Sequence, residues 1–214
     1  MREFERERRA MVEEQLHGRG IVDQHVLDAM EKVPRETFVE LDDRPRAYLD
    51  MPLSIGFGQT ISQPYMVALI CQEAAVRPGN DVLDIGTGSG YQAAVLAELG
   101  AHVHTIERIG ELAEKARRNL AEAGYGDVVV HVGDGSLGLP EEAPFDAIAV
   151  AAAAPELPMT LYEQLVRGGR LVAPVGAPAG QRLEVAVRTP EGPAVVQSVP
   201  CRFVPLLGAE GYES

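Results

Sequence analysis

The sequence lacks tryptophan altogether, and aromatic residues make up only 5% of its 214 positions. Aliphatic side chains and alanine must therefore fill most of the core. A domain of this length buries roughly 70% of its unfolded surface, so it can fold without disulfide or metal staples. The only two cysteines, Cys71 and Cys201, lack the paired spacing of a metal site, and we expect both to be buried, reduced thiols.

Long apolar runs are also missing. The longest, near Ala147–Ala154, is far too short to span a bilayer. The N-terminal residues from Met1 to Arg9 contain no apolar segment of the kind that a secretory signal needs. These absences predict a cytoplasmic protein that makes no contact with a membrane.

Basic residues are also few compared with acidic ones. Asp and Glu number 32 against 19 Lys and Arg, which gives a formal net charge of −13. Such a surface repels phosphate groups, and no Lys/Arg stripe offsets the effect. The charge therefore argues against a nucleic acid partner, and its plainest role is to keep the protein in solution. The sequence does not disclose the oligomeric state, and we expect a monomer.

What the chain does contain, from residue 81 onward, is a regular alternation of short apolar segments and helical patterns. Strands are predicted at 82–85, 102–107, 128–132, 145–150 and 168–173. Helices are predicted at about 90–99, 110–123 and 158–166. Segments 183–188 and 194–199 predict a closing antiparallel pair. This alternation is typical of an α/β fold with a mainly parallel, doubly wound sheet and helices on both faces.

The N-terminal third has a different pattern, with three predicted helices. Residues 3–17 are dense in Glu and Arg and predict an exposed amphipathic helix. Asp23 is placed to cap a second helix that ends near residue 31. An apolar helix is predicted from Pro64 to about Ala75, because proline suits a first helical turn.

A glycine-rich turn joins the first core strand to the helix that follows it. It is Asp84-Ile-Gly86-Thr-Gly88-Ser-Gly90, and its glycines let the backbone bring a ligand close to the helix N-terminus. Glu107 ends the next strand, where a carboxylate can accept both hydroxyl protons of a ribose. The dinucleotide pattern G-x-G-x-x-G requires glycine at position 91, where this chain has Tyr91. An NAD-dependent dehydrogenase is therefore disfavoured, and the spacing resembles the first motif of class I methyltransferases.

A third element, Gly133-Asp134-Gly135, follows the third strand, where the aspartate could accept a hydrogen bond from an adenine amino group. Each element has a plainer interpretation: the glycines as a tight turn, Glu107 as a solvated strand end, and Asp134 as part of a turn. Their occurrence after three successive strands favours a binding site for S-adenosyl-L-methionine.

Further motifs occur in order along nearly the whole chain. They are Arg35-Glu-Thr-Phe-Val39, Ala47-Tyr-Leu-Asp50, Ile55-Gly-Phe-Gly-Gln-Thr-Ile-Ser-Gln-Pro-Tyr65, Gly86-Thr-Gly-Ser-Gly-Tyr-Gln-Ala-Ala94, Thr105-Ile-Glu-Arg108, Gly133-Asp-Gly135, Pro144-Phe-Asp146, Gln164-Leu-Val-Arg-Gly-Gly-Arg170, Pro174-Val-Gly176 and Phe203-Val-Pro-Leu206. From about residue 8 to 212 they closely resemble the protein-L-isoaspartate O-methyltransferase family. The stretch Gly58–Pro64 is the most specific, because general methyltransferases have no such segment.

The resemblance implies a Rossmann-like class I methyltransferase with a helical N-terminal extension and antiparallel C-terminal strands. It implies methyl transfer from S-adenosyl-L-methionine to the free α-carboxylate of L-isoaspartyl residues in damaged proteins, with S-adenosyl-L-homocysteine as product. The ester would re-close to a succinimide and return some normal aspartate, so the implied function is repair. We expect one domain over residues 1–214. Residues 1–78 would supply helices and a closing loop, and residues 79–214 the cofactor-binding core and C-terminal strands.

The resemblance also implies roles for individual residues. Ser62 matches the family's active-site serine, and Ile55–Gly58 matches the loop that closes over the cofactor. Val204–Leu206 matches the segment against which the substrate peptide lies. The implied substrate-binding residues are Thr60, Ser62, Val204 and Leu206. The implied cofactor-binding residues are Ile55, Gly58, Gly86, Thr87, Gly88, Glu107, Asp134 and Gly135.

The implied chemistry agrees with the absence of an obvious catalytic dyad. A carboxylate with a pKa near ~4 is already ionised at neutral pH, so it needs no general base, and alignment is the main requirement. The hydroxyl of Ser62 can hold one carboxylate oxygen without quenching its nucleophilicity, although by itself this serine reads as a plain helix cap. No metal is expected, since His102 and His104 share a strand face without a third ligand.

Three positions depart from the family pattern. Asp84 stands where many bacterial relatives have glutamate, although either carboxylate can serve. Ala151 stands where relatives often carry threonine beside the substrate channel, and Leu207 lacks a polar side chain that some relatives have. The acceptor therefore has an open alternative, namely ordinary aspartyl residues of a dedicated peptide. A cofactor-binding interaction module without activity is a second alternative.

Overall fold

The computed structural model describes residues 4–213, so Met1–Glu3 and Ser214 of the predicted domain lie outside it. The chain begins with α1 (Glu5–Ala10), which continues through a π-helical segment, Met11–Leu16, and a short 3-10 turn. The helix predicted at 3–17 is therefore present over its described part. It is less exposed than expected, because Met11, Val12 and Leu16 are buried in the core.

The second predicted helix is confirmed as α2 (Gln24–Lys32). The Asp23 carboxylate accepts a hydrogen bond from the main-chain N–H of His25 at 3.0 Å, which satisfies one of the free donors of the first turn. Its apolar side, which includes Val26 and Met30, is buried.

The segment between α2 and the next helix contains two 3-10 turns and a small hairpin that was not predicted. The turns span Arg35–Phe38 and Leu41–Arg46. The hairpin pairs β1 (Leu53–Gly56) with β2 (Gln59–Ile61) in an antiparallel sheet. The apolar helix α3 follows at Pro64–Ala74, with proline in its first turn as predicted.

The core is a seven-stranded sheet in the order β5-β4-β3-β6-β7-β8-β9. Neighbouring strands from β5 to β7 are parallel, and β8 and β9 are antiparallel additions, as predicted. The strands are β3 (Asp81–Ile85), β4 (His102–Glu107), β5 (Val129–Val132), β6 (Phe145–Val150), β7 (Leu165–Val175), β8 (Arg182–Thr189) and β9 (Gly192–Pro200). The connecting helices are α4 (Tyr91–Glu98), α5 (Gly110–Ala123) and α6 (Met159–Tyr162).

Two apolar clusters cover the two faces of the sheet. One joins α2, α3, α4 and α5 to residues such as Val82 and Val172, and the other joins α6 to Leu83 and Leu171. The strand order reverses between β3 and β6, so the connections that leave their carboxyl ends lead to helices on opposite faces of the sheet. In open α/β sheets, ligands bind in the crevice at such a switch point.

The helix predicted at 158–166 is wrong in length, since α6 has only four residues and β7 begins at Leu165. Leu165 pairs with Phe145, and the main-chain N–H of Phe145 donates to the carbonyl of Gln164 at 2.8 Å. Leu161, Tyr162 and Leu165 are all buried, and their spacing suits a helix face. The sequence pattern therefore could not show where α6 ends and β7 begins.

Both cysteines are free; Cys71 is buried as expected, whereas Cys201 is only half-buried, so the expected burial is wrong for this residue. Burial raises the pKa of its thiol above the ordinary range. Within residues 4–213, no helix is long and apolar enough to cross a membrane.

Candidate active site

A cavity of about 440 Å³ opens at the carboxyl ends of β3, β4 and β6. Its lining combines the glycine turn after β3, the end of the hairpin, and the C-terminal segment around Val204. Nine of the predicted site residues line it: Thr60, Ser62, Gly86, Thr87, Gly88, Glu107, Gly135, Val204 and Leu206. Three predicted residues, Ile55, Gly58 and Asp134, lie next to lining residues without lining the cavity themselves.

The glycine turn brings bare backbone to the cavity. Gly86 and Gly88 have φ angles of 91° and 53°, in the left-handed region that side chains rarely adopt. The N–H groups of Gly86 and Thr87 donate to the carbonyl of Ile106 at 2.9 and 3.1 Å, which fixes the turn against β4. A Cβ atom at Gly88 would lie 3.2 Å from Cδ1 of Ile55. Ile55 therefore packs behind the turn, and its role at the cofactor stays a prediction.

Glu107 ends β4 with its carboxylate held at both oxygens. Oε2 accepts a hydrogen bond from the N–H of Gly88 at 2.9 Å, and Oε1 accepts one from Ile109 at 3.0 Å. The residue is 6% exposed and lines the cavity. Each carboxylate oxygen can accept a further hydrogen bond. The arrangement therefore suits the two hydroxyl donors of a ribose, and the ribose contact itself stays a prediction.

A buried polar chain that the sequence analysis missed lies beneath the glycine turn. The carboxylate of Asp84 accepts hydrogen bonds from Gln92 at 2.8 Å and from Thr105 at 2.7 Å, and the Thr105 hydroxyl also contacts that of Thr87 at 2.7 Å. Burial raises the pKa of Asp84 to about 6, although the two hydrogen bonds oppose the shift. The Gln92 side chain lines the cavity, and its Oε1 has no hydrogen-bond partner among residues 4–213. This oxygen is itself buried, so the polar chain supports the glycine turn from beneath.

Asp134 anchors the C-terminal turn. Its Oδ1 accepts hydrogen bonds from Ser136, and its Oδ2 accepts one from the N–H of Ala209 at 2.7 Å. Burial alone would raise the pKa of Asp134, but these hydrogen bonds outweigh it and lower the pKa below its ordinary value. Gly135 lines the cavity, and a Cβ atom there would lie 2.8 Å from Cγ2 of Ile85. The contact of Asp134 with adenine stays a prediction.

The C-terminal segment is fixed along the cavity by main-chain hydrogen bonds. The N–H of Ala153 donates to the carbonyl of Val204, and the N–H of Leu206 donates to the carbonyl of Ala153, both at 2.8 Å. Ala153 and Pro205 form an isolated bridge between these bonds. Val204 and Leu206 are therefore held at the rim as an extended strand-like edge, which a peptide could lie against.

Ser62 lies between β2 and α3 with its side chain at the cavity. The cap position of α3 is Gln63, which forms no side-chain cap bond, so Ser62 is not the plain helix cap that remained as an alternative. The Ser62 hydroxyl makes no hydrogen bond to any of residues 4–213, whereas its carbonyl accepts one from Arg35 at 2.8 Å. The hydroxyl is therefore free for a ligand.

Phe57 is a second lining residue that sequence reasoning did not single out. It lies at the tip of the hairpin, is 59% exposed, and has a φ of 54°. A bulky side chain in the left-handed region is rare and marks strain or function. The signal in the sequence was its position between Gly56 and Gly58, since neighbouring glycines accompany tight turns.

The histidines do not form the pair considered from the sequence. His104 instead contacts His131, with 3.1 Å between Nδ1 and Nε2 and nearly parallel rings, and His102 contacts Asp81. No group of three His, Cys, Asp or Glu side chains suited to a metal occurs within the described part of the chain.

With this geometry in place, comparison with known proteins identifies the family. The model of the protein-L-isoaspartate(D-aspartate) O-methyltransferase family matches residues 6–211. The chain belongs to this family. The family predicted from the sequence is thus confirmed, and with it the class I methyltransferase fold.

Individual relatives agree over nearly the full length. The chain is 55% identical to protein-L-isoaspartate O-methyltransferase 2 of an Anaeromyxobacter strain, covering 94% of this chain and 84% of the relative. It is 52% identical to protein-L-isoaspartate O-methyltransferase of Methanoculleus marisnigri, covering 97% of this chain and 94% of the relative.

Two solved structures share the fold. A protein-L-isoaspartate O-methyltransferase superposes with a TM-score of 0.85 at 30% identity, covering 95% of this chain and 67% of that one. A Plasmodium falciparum structure described as such an enzyme, in complex with S-adenosyl-L-homocysteine, gives a TM-score of 0.79 at 26% identity. That match covers 92% of this chain and 97% of the other.

Proposed function

We propose that this member of the family methylates the free α-carboxylate of L-isoaspartyl residues in damaged proteins and so initiates their repair. The observation that carries the proposal is the unengaged hydroxyl of Ser62, which lines the same cavity as the glycine turn and Glu107. The proposed donor site and the proposed acceptor site thus share one cavity.

The lining residues fit S-adenosyl-L-methionine, which when bound supplies an electrophilic methyl group on sulfur and leaves as S-adenosyl-L-homocysteine. Glu107 would accept hydrogen bonds from the ribose hydroxyls, and the backbone of Gly86, Thr87 and Gly88 would approach the ligand closely. The remaining proposed contacts come from Ile55, Gly58, Asp134 and Gly135.

Ser62 would hold the acceptor carboxylate by donating a hydrogen bond to one of its oxygens. The carboxylate is already ionised at neutral pH, so no side chain has to remove a proton. Thr60, Val204 and Leu206 would support the peptide beside it. The chain's main contribution is then alignment of two reactants, which can lower a barrier by roughly 7–11 kcal/mol in favourable cases.

The proposed setting is the cytoplasm, and the proposed working form is a monomer that binds neither nucleic acid nor a membrane. The net charge of −13 supports the absence of a nucleic acid partner. Two free thiols, at Cys71 and Cys201, suit a reducing compartment. We also propose that residues 1–214 form one domain, with helices and a closing loop in 1–78 and the cofactor-binding core and C-terminal strands in 79–214.

A pair of peptides that differ only at one residue tests the acceptor. One carries L-isoaspartate, its twin carries ordinary L-aspartate, and methyl-ester formation is measured for both with the same enzyme preparation. We expect esterification of the isoaspartyl peptide only. Equal rates on the two peptides would overturn the repair function in favour of a dedicated aspartyl substrate.

Substitution Ser62→Ala tests the role of the hydroxyl. A hydrogen bond to a charged group contributes about 1.5–3 kcal/mol, so kcat should fall about 10- to 100-fold. The affinity for S-adenosyl-L-homocysteine, measured by calorimetry, should not change. Ser54→Ala is the matched control, because Ser54 lies on the hairpin that precedes Ser62 and is exposed outside the cavity lining. Unchanged turnover in Ser62→Ala would remove the hydroxyl from the reaction.

A further inference from the structure

The largest fully buried side chain of the described residues is a charged one, Arg35, which is 0% exposed. Burial lowers the pKa of its guanidinium to about 10, so the group still carries its charge at neutral pH. Burying a charge inside a protein is unfavourable unless its partners compensate closely. The contacts of Arg35 therefore indicate what it is for.

Arg35 joins three segments of the chain that are distant in sequence. Its Nε donates to the carbonyl of Ala47 at 2.7 Å, and its Nη2 donates to the carbonyl of Ser62 at 2.8 Å. The guanidinium carbon lies 4.8 Å from the centre of the Tyr91 ring, at the start of α4. Ser62 and Tyr91 both line the cavity, and Arg35 itself does not.

Stability alone is a poor explanation for this arrangement. The third nitrogen, Nη1, has no hydrogen-bond partner within residues 4–213, so the buried charge is incompletely satisfied. An apolar side chain of similar volume is often at least as stabilising as an incompletely paired charge. What an apolar side chain could not do is hold the carbonyl of Ser62.

Among the described residues, the hydrogen bond from Arg35 to this carbonyl is the polar contact that fixes Ser62. The serine hydroxyl makes no bond to residues 4–213, so the side chain's direction depends on the backbone that carries it. A donor from Arg35 fixes the peptide plane after Ser62, while Tyr91 fixes the guanidinium against the helix that follows the glycine turn. The chain thereby sets the serine relative to the cofactor-binding backbone.

We propose that Arg35 is a positioning residue that acts through the main chain of Ser62 and sets turnover rather than cofactor affinity. This inference rests on the proposed role of Ser62 in holding the acceptor carboxylate. Arg35 does not line the cavity itself, and it contacts the cavity-lining residues Ser62 and Tyr91.

The main test compares Arg35→Lys with Arg8→Lys. Arg8 is the matched control: it is the other buried arginine among residues 4–213, it donates to the carbonyls of Glu31 and Lys32 at 3.2 and 3.1 Å, and it lies outside the cavity lining. Both variants should lower the urea midpoint of unfolding. Only Arg35→Lys should lower kcat, by about 10- to 100-fold, because small misplacements of reacting groups have effects of this size. Affinity for S-adenosyl-L-homocysteine should not change in either folded variant.

A double-mutant cycle with Ser62→Ala identifies the route of the effect. If Arg35 acts through the serine, Arg35→Lys adds no further loss of kcat when residue 62 is already alanine. An equal loss in both backgrounds, or an equal loss in Arg8→Lys, would overturn the proposal. A Ser62→Ala variant with full turnover would instead overturn the proposed function of the serine, whatever Arg35→Lys does.

Discussion

The cavity has two kinds of lining that are built in opposite ways. At the sheet edge, polar groups are tied down: both oxygens of Glu107 and both oxygens of Asp84 accept hydrogen bonds from neighbouring groups. The segment from Phe57 to Ser62 differs: two residues at the hairpin tip, Phe57 and Gly58, have left-handed backbones, and the serine hydroxyl has no partner among residues 4–213.

The difference follows from what each part must do. A ligand that is bound in one defined geometry is recognised best by groups already fixed before it arrives, because ordering them later lowers affinity. A group that meets a reacting carboxylate needs a free hydrogen, so its own side chain has to stay unbonded. Its position must then come from the main chain, and Arg35 provides that.

The largest expected effect of a substitution at the sheet edge is in cofactor affinity. Glu107→Ala removes the acceptor for Gly88 and Ile109 and the proposed acceptor for ribose. Each hydrogen bond to a charged group contributes about 1.5–3 kcal/mol, so affinity for S-adenosyl-L-homocysteine should fall at least ~100-fold. Calorimetry measures this directly, and kcat at saturating S-adenosyl-L-methionine should fall far less.

Glu107→Gln is a milder test of the same carboxylate. Glutamine keeps the shape of the side chain and one acceptor oxygen, but an NH₂ donor replaces the second oxygen. We expect an affinity between those of the wild type and Glu107→Ala. If Glu107→Ala bound the nucleotide normally, the carboxylate would have no role in the site, and the contrast with Ser62 would disappear.

The same contrast decides what could be predicted from the sequence. Residues of the sheet edge follow strand ends, and strand patterns are periodic, so the sequence could group Gly86, Glu107 and Gly135, and all three line the cavity. The strand at Phe145–Val150 has the predicted boundaries. Local chemistry and order along the chain were sufficient there.

The part of the cavity from Phe57 to Ser62 depends on contacts between segments that are distant in sequence, and no local sequence pattern encodes such contacts. Arg35 reads as a surface charge, and its burial requires carbonyls that lie 12 and 27 positions further along the chain. Ser62 entered the prediction only through family resemblance. Phe57 owes its position to a backbone conformation that its own side chain disfavours. Tertiary contacts therefore determine this part of the site.

A smaller effect is expected from the buried carboxylate of the sheet edge, and it depends on pH. The pKa of Asp84 is raised from 3.8 to about 6, so between these values the folded state holds a proton that the unfolded state has lost. The contribution of Asp84 to the free energy of unfolding therefore decreases as pH rises, by about 1.4 kcal/mol per pH unit within that window. Above pH ~6 the loss is complete, at about 3 kcal/mol in total.

Asp84→Asn should abolish this dependence. Urea unfolding at pH 4, 5, 6 and 7 measures the free energy of unfolding of both proteins. The value for the variant should rise relative to that of the wild type by up to about 3 kcal/mol from pH 4 to pH 7. A constant difference between Asp84→Asn and the wild type would mean that the carboxylate titrates normally and that the sheet edge carries no electrostatic penalty.

The smallest expected effect concerns Phe57 at the tip of the hairpin. A left-handed backbone at a residue other than glycine is unfavourable by roughly 1–2 kcal/mol, and asparagine tolerates it better than phenylalanine. Phe57→Asn should therefore raise the free energy of unfolding by about 0.5–1 kcal/mol, since the ring is 59% exposed and loses little burial. Because the ring lines the cavity, KM for the isoaspartyl peptide should rise a few-fold.

Ala75 gives this prediction a matched control, because it is the other residue besides glycine with a left-handed backbone, among those described, and it ends α3 outside the cavity lining. Ala75→Asn should leave KM unchanged and raise stability by a similar amount, if relief of backbone strain is the cause. A loss of stability in Phe57→Asn with an unchanged KM would show that the ring serves the fold rather than the substrate. The strained backbone at the tip of the hairpin would then have no role in substrate binding.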